Sequence, residues 1–156
     1  MSGICAFTGH RRIPEQDVAL ILTGLDRLIE EQIANGCTHF RCGGAQGFDT
    51  VAALKVLEAK KKHPHIKLDL FLPCKDQSLG WSENAKRVYE MVISRADSVT
   101  YTAELYSRGC MHERNRRMID GSSACIAYCR SSQGGTAYTI LYAKRQGGAV
   151  FNVVDA

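Results

Sequence analysis

The sequence predicts an α/β protein, a single Rossmann-like three-layer domain (residues 1–156) with a mainly parallel central sheet. Three observations carry that prediction. Six short apolar runs of strand character alternate with runs whose apolar side chains keep helical spacing. Successive strand-like runs leave room for one helix each, the pattern of βαβ units and of a sheet covered on both faces. No repeat, linker or low-complexity stretch breaks the alternation, and 156 residues are enough to bury a core without metal or disulfide support.

The elements follow in order. Residues 4–8 are an apolar run stopped by Gly9, and the basic turn His10-Arg11-Arg12 follows. Pro14 suits the entry of a helix. Val18, Ile21, Leu22, Leu25, Leu28, Ile29 and Ile33 give that helix one apolar face, and Asn35-Gly36 ends it. A second strand at 38–42 opens into Gly43-Gly44-Ala45-Gln46-Gly47-Phe48-Asp49, ahead of an Ala/Leu-rich helix that finishes in Lys60-Lys61-Lys62-His63. Those cations suit a helix C-terminus. Residues 66–72 alternate as a third strand, expected to turn at Pro73. Ser82 is placed to cap a helix over 83–95. A weaker strand is expected at 97–101, a loop at 102–109 and a helix at 111–119. Residues 124–129 form a fifth strand, Gln133-Gly134-Gly135-Thr136 a second glycine turn opening a helix to Arg145, and 149–154 a final strand.

Composition narrows the partners. The formal charge of +4, from 20 Lys and Arg against 16 Asp and Glu, permits a nucleotide or nucleic-acid partner without requiring one, since no long basic block occurs. Seven cysteines, with no Cys-x-x-Cys pair and no zinc-like Cys/His spacing, predict no metal site. Six of them lie in or beside strand-like runs and read as small buried hydrophobes; Cys110, between Gly109 and Met111, reads as exposed. The first residues show no leader and no long apolar segment, so the expectation is a reducing, cytoplasmic setting away from membranes. Apolar residues near 101–106 are compatible with a homo-oligomer.

Ligands of doubly wound sheets bind beyond the carboxyl ends of the strands, near the point where strand order reverses. That rule gathers Thr8, Gly9, His10 and Arg11 with Gly43, Gly44, Ala45, Gly47 and Asp49, and with Gly134, Gly135 and Thr136. Two glycine turns, each opening a helix, offer free N–H groups to an anion, and Arg11 adds a cation. Asp49 reads as a helix N-cap, as an acceptor for ribose hydroxyls, or as both. His10 reads as a phosphate donor, a general base or a solvated turn residue. Arg114, Asn115, Arg116 and Arg117 are a solvated helical face or ligand contacts. Trp81, the only tryptophan, covers the core or forms an aromatic wall for a base.

These motifs, in this order, resemble the SLOG superfamily, which groups DNA-processing protein DprA with the Lonely Guy phosphoribohydrolases. The YpsA-like branch, small bacterial proteins of uncertain function, is the most similar. The blocks that carry the resemblance are Thr8-Gly9-His10-Arg11, Gly43 to Asp49 with Ala52-Ala53, Arg114-Asn115 with Met118-Ile119-Asp120, and Gly134-Gly135-Thr136 with Thr139 and Ala143. The resemblance implies a Rossmann-like domain that binds a nucleotide or an ADP-ribose-like ligand. The two glycine turns and Arg11 would hold phosphates, and Asp49, with Asn115, Asp120 and Trp81, would meet ribose or base. No further cofactor is implied.

Two other uses follow from the same resemblance. Lonely Guy enzymes split a nucleoside monophosphate into base and ribose phosphate. Here Gln133 stands where their motif has proline, and no Asp or Glu occurs between Asp120 and Asp155 to supply the expected acid. DprA-like binding of single-stranded DNA is suggested by the match of Gly44 to Thr50 and of Arg114-Asn115-Arg116. It is the less expected use, because net charge is small and aromatic residues are not interleaved with basic ones along the chain.

Overall fold

A computed structural model describes residues 3–155. Six strands form one sheet in the order β4-β3-β2-β1-β5-β6, every neighbouring pair parallel. The strands are β1 (Gly3–Gly9), β2 (Cys37–Cys42), β3 (Lys67–Cys74), β4 (Ser98–Ala103), β5 (Ala124–Tyr128) and β6 (Ala149–Asn152). The helices are α1 (Val18–Ala34), α2 (Phe48–Lys62), α3 (Glu83–Arg95), α4 (Cys110–Ile119) and α5 (Gly135–Arg145). Among the described residues no helix is long and apolar enough to cross a membrane.

The layers follow from strand periodicity. On β1 the side chains of Cys5 and Phe7 join the core under α1, α2 and α3, while Ala6 between them joins Met118, Ile119, Cys125 and Ala143 under α4 and α5. With both faces buried, the middle of β1 (residues 4–7) and all of β5 carry apolar or aromatic side chains, which is why they read so clearly in the sequence. The chain runs β1 to β4 outward on one side, then crosses back to β5 beside β1. Strand order therefore reverses between β1 and β5.

Several expected boundaries move. Pro73 lies inside β3 and does not end it. The β2 ladder stops at Leu70, and beyond it β3 pairs only with β4, through Leu72 with Tyr101 and Cys74 with Ala103, so a proline without an N–H is tolerated there. That pairing also draws Thr102 and Ala103 into β4, where a loop was expected. Asp97 instead ties the strand start, its N–H donating to the Leu68 carbonyl and its Oδ2 accepting from Leu68 N at 2.8 Å. Pro14 precedes a single 3-10 turn (Glu15–Asp17) before α1 begins, and β6 passes into another after Asn152. Ser82 caps α3 as expected, its Oγ accepting from Ala85 N at 3.1 Å. All seven cysteines are free and buried, Cys110 included, because α4 starts one residue earlier than expected and turns that thiol inward. Leu105 and Tyr106 are exposed, 68% and 65%.

Candidate functional site

A cavity of about 300 Å³ lies at the carboxyl edge of the sheet, at the reversal point. Phe7, Thr8, Gly9, His10 and Arg11 enter it from the end of β1, and Ala45 and Asp49 from the β2–α2 turn. Met111, Arg114, Asn115 and Met118 come from α4, and Gly135 and Thr136 from the start of α5. Arg11 reaches across to α4, its Nη2 lying 4.0 Å from the Met111 sulfur.

The two glycine turns, expected to act alike, differ. The first is filled by its own protein. A Cβ on Gly43 would fall 2.7 Å from Arg114 Cζ and 2.8 Å from Asp49 Oδ2. One on Gly44 would strike the Leu72 side chain. Gly47 is the N-cap of α2, with φ 82°, and lies against the main chain of Arg11. Two donors of the turn are also engaged: Ala45 N bonds Asp49 Oδ2 at 3.3 Å, and Phe48 N bonds the His10 carbonyl at 3.1 Å. The second turn is open. Nothing lies within 4 Å of a Cβ built on Gly134 or Gly135, and Gly135 and Thr136 face the cavity at the N-terminus of α5. Of the two turns, the second is the one where the first N–H groups of an 11-residue helix border the cavity with no side chain against them.

Asp49 is not the N-cap of α2, a place Gly47 holds; it sits in the first turn with its carboxylate turned back into the structure, 6% exposed. Burial raises its pKa, opposed by the Arg114 charge, the Ala45 N–H and Arg11. Nor is Arg114 part of a solvated face. It is 5% exposed, donates from Nη1 to the carbonyls of Gly43 and, at 3.2 Å, Phe71, and from Nε to Asn115 Oδ1 at 2.7 Å. Its pKa falls through burial, with the Asp49 charge opposing. Because Asn115 spends its oxygen on Arg114, its NH₂ is the group left to face a ligand.

His10 joins three elements. Its N–H donates to the Tyr128 carbonyl, its carbonyl accepts from Phe48, and its Nε2 accepts from Arg130 N at 2.9 Å. A ring nitrogen that accepts an N–H carries no proton, so Nδ1 is the protonated one, and the cavity-lining ring offers a donor where a general base was one expectation.

Behind His10 lies a network that sequence reasoning missed. Asp17, 5% exposed, accepts from Tyr128 Oη at 2.5 Å and from Arg130 Nε and Nη2 at 2.7 and 3.0 Å. Hydrogen bonds from Arg130 and Tyr128 hold the Asp17 carboxyl below its ordinary value, while burial and Asp17 push the Tyr128 hydroxyl up. Arg130 follows the carboxyl end of β5, so the edge-of-sheet rule was the available signal for it; Asp17, before α1, gave none.

The remaining expected residues lie elsewhere. Trp81 packs edge-on to Tyr89, ring centroids 5.0 Å apart, against the core and outside the cavity. Asp120 follows the far end of α4, where its carbonyl accepts from Arg41 at 2.7 Å and its Oδ1 from Tyr142 Oη at 2.6 Å. Gly43, Gly44 and Gly47 shape the wall from behind. Among the described residues no group of three His, Cys, Asp or Glu side chains is placed to hold a metal ion.

Comparison with known proteins agrees with this architecture. The profile of the YspA SLOG family matches residues 7–149. Over 131 residues the chain is 36% identical to the uncharacterized SPbeta prophage-derived protein YoqJ of Bacillus subtilis (strain 168), covering 76% of this chain and 77% of that one. A UPF0398 protein of Bacillus thuringiensis (strain Al Hakam) is 29% identical over 133 residues, covering 83% and 72%. Among solved structures, DNA processing protein A of Helicobacter pylori superposes with a TM-score of 0.69 at 21% identity, over 96% of this chain and 64% of that one. DprA of Streptococcus pneumoniae gives 0.67 at 18%, over 97% and 50%. The chain thus spans about two thirds and one half of those two proteins. With a profile match that takes in both glycine turns and everything between them, the chain belongs to the YspA SLOG family.

Proposed function

We propose that this protein binds a nucleotide or a nucleotide-derived ligand of the ADP-ribose type in the cavity at the β1/β5 reversal. The observation that carries this reading is the pairing, in one cavity of about 300 Å³, of an open helix N-terminus with a buried carboxylate. The α5 N–H groups, Thr136, Arg11, His10 Nδ1–H and the Asn115 amide are all donors and suit the many acceptor oxygens of a phosphate ester. Asp49 is the cavity's one carboxylate and suits a ribose hydroxyl. The volume lies at the small end of ligand cavities, so one nucleotide unit is enclosed and a longer ligand extends through the mouth.

Thermal unfolding with millimolar AMP, ADP-ribose and NAD tests the reading, because a ligand of the native state raises apparent stability by mass action. At least one is expected to raise the Tm, and Gly135→Val to abolish the rise. No rise with any of the three overturns the reading. Assay of the same mixtures for released base tests N-glycosidic hydrolysis, for which Asp49 is the cavity's only acid.

A second reading, single-stranded DNA binding, is favoured by one observation. The fold brings together what the sequence keeps apart. His112 and Tyr138 stack edge-on at 4.9 Å, and Arg116 Nη1, from the last turn of α4, meets Tyr138 Oη at 3.3 Å where α4 packs beside α5. An exposed aromatic beside a cation is a stacking element for a base. The H. pylori relative in fold was solved in a study of its single-stranded DNA binding mode. Salt-sensitive retardation of an oligonucleotide, lost with Tyr138→Ala and Arg116→Ala, is the expected outcome of that reading; retardation unchanged in both variants overturns it.

A further inference from the structure

We propose that Asp17 and Arg130 form a positioning pair that fixes His10 as a neutral Nδ1–H donor toward the anionic group of the ligand. The proposal rests on the nucleotide reading only for the identity of that anion.

The geometry runs from the buried pair to the cavity in two steps. Asp17 holds the Arg130 side chain by two hydrogen bonds, at 2.7 and 3.0 Å, and the Tyr128 hydroxyl by a third. These bonds pin both ends of the short segment that leaves β5. The main-chain N–H of Arg130 then points at His10 Nε2, 2.9 Å away, and the Tyr128 ring packs edge-on to the imidazole with centroids 5.3 Å apart. Without the pin the segment 129–132 has few other anchors: Cys129 bonds Asn152, and Ser131 to Gln133 are exposed.

The chemistry follows from a two-nitrogen ring. In a neutral imidazole one nitrogen donates and the other accepts, and the partner of one sets the role of the other. A main-chain N–H cannot change roles, so its contact with Nε2 demands a lone pair there and leaves the proton on Nδ1. Exposed imidazoles favour neither arrangement so firmly. A fixed Nδ1–H meets a phosphate oxygen with no prior tautomer change, whereas the opposite tautomer would turn a lone pair toward an anion. Asp17 and Arg130 need touch no ligand to have this effect. Their role is positioning, exerted through a backbone amide.

The test is long-range proton–nitrogen NMR on the whole protein labelled with 15N-histidine at neutral pH. In the wild type His10 is expected to show an unprotonated Nε2 and a protonated Nδ1. Asp17→Asn and Arg130→Gln are each expected to move both nitrogens toward the averaged positions of a free imidazole. Arg130→Lys, which keeps a cation beside Asp17, is expected to restore most of the wild-type pattern. Arg130→Gln changes a half-exposed side chain and keeps the backbone amide, so it remains informative if Asp17→Asn does not fold. AMP, used as the probe, is expected to shift Nδ1 in the wild type and to bind roughly tenfold more weakly to Arg130→Gln, the scale of one misaligned charge-assisted hydrogen bond. A protonated Nε2 in the wild type, or an unchanged His10 pattern in both Asp17→Asn and Arg130→Gln, overturns the proposal. Failure of AMP to perturb any residue overturns the nucleotide reading instead, and the tautomer result without ligand still decides the positioning role.

Discussion

Arg114 donates to the carbonyl of Gly43 from the place where any side chain on that residue would have to begin. The guanidinium, 71 residues along the chain from its acceptor, fills the space beside Gly43. Gly43 is therefore required for packing, and its consequences belong to stability.

Substitution of Gly43 by Ala is expected to cost about 1–3 kcal/mol, the range for forcing extra atoms into a packed site. Gly135→Ala, with nothing near its Cβ, is expected to change stability by less than about 0.5 kcal/mol. Urea unfolding of the two variants checks the contrast, and equal losses would count against it. AMP affinity should respond in the opposite sense, Gly135→Ala being the more damaging.

Arg114→Ala removes two donors from main-chain carbonyls and the nearest opposing charge from buried Asp49. A loss of about 3 kcal/mol is expected, on the scale of stripping a partner from a buried charged group. Arg117→Ala, whose side chain meets Glu113 in an exposed i, i+4 pair, is expected to cost no more than about 0.5 kcal/mol. Chemical denaturation of both variants measures the difference.

Asp49 and Asp17 shape the acid limb of stability in opposite senses. Burial raises the Asp49 pKa above its ordinary 3.8, so the folded protein holds that proton to higher pH than the unfolded chain, and stability falls as pH rises through this interval. Asp17, lowered by its hydrogen bonds from Arg130 and Tyr128, contributes stability present above 3.8 and lost as pH falls through its folded value. Asp49→Asn, which removes the titrating carboxyl but also the charge that compensates buried Arg114, is thus expected to abolish the fall in stability as pH rises through this interval, and Asp17→Asn to destabilise the protein at neutral pH but not in strong acid. Unfolding curves across the acid range test both signs; a fall of stability with rising pH that persists unchanged in Asp49→Asn contradicts the first.

The thiols should be silent in the folded state. All seven are buried, and desolvation pushes Cys125 to about 12 and Cys37 and Cys74 to about 11. Thiolate is the reactive form, so a thiol reagent is expected to label none quickly in native buffer and all seven in guanidinium. Rapid native labelling of Cys110 would contradict its placement at the inner side of α4.

Much of the fold was legible because parallel strands buried on both faces, such as 5–7 and 124–128, read as unbroken apolar runs between turn residues. The end of β3 was not, since Pro73 looks like a terminator until the neighbouring ladder is seen to stop at Leu70. In the site, the edge-of-sheet rule gathered His10, Arg11, Asp49 and the second glycine turn from position alone. What it could not supply were contacts between distant residues. The two glycine turns look alike in sequence, and it takes Arg114, Leu72 and the Arg11 main chain, all distant in sequence from the turn, to make one of them solid. Asp17 meets Tyr128 across 111 residues, a pairing no local pattern announces. Asp120 was drawn in as part of a motif and Trp81 as the only tryptophan, and the direction of α4 and the packing on Tyr89 carry them away.

His10 is held at its main-chain nitrogen, its main-chain oxygen and one ring nitrogen before any ligand arrives. A wall fixed in that way surrenders little conformational freedom when it is occupied, so more of the contact energy is retained as affinity. It also has little capacity to reshape itself around a poorly matched guest. Discrimination among anions then falls to fit, and the tolerance for longer ligands to the mouth of the cavity.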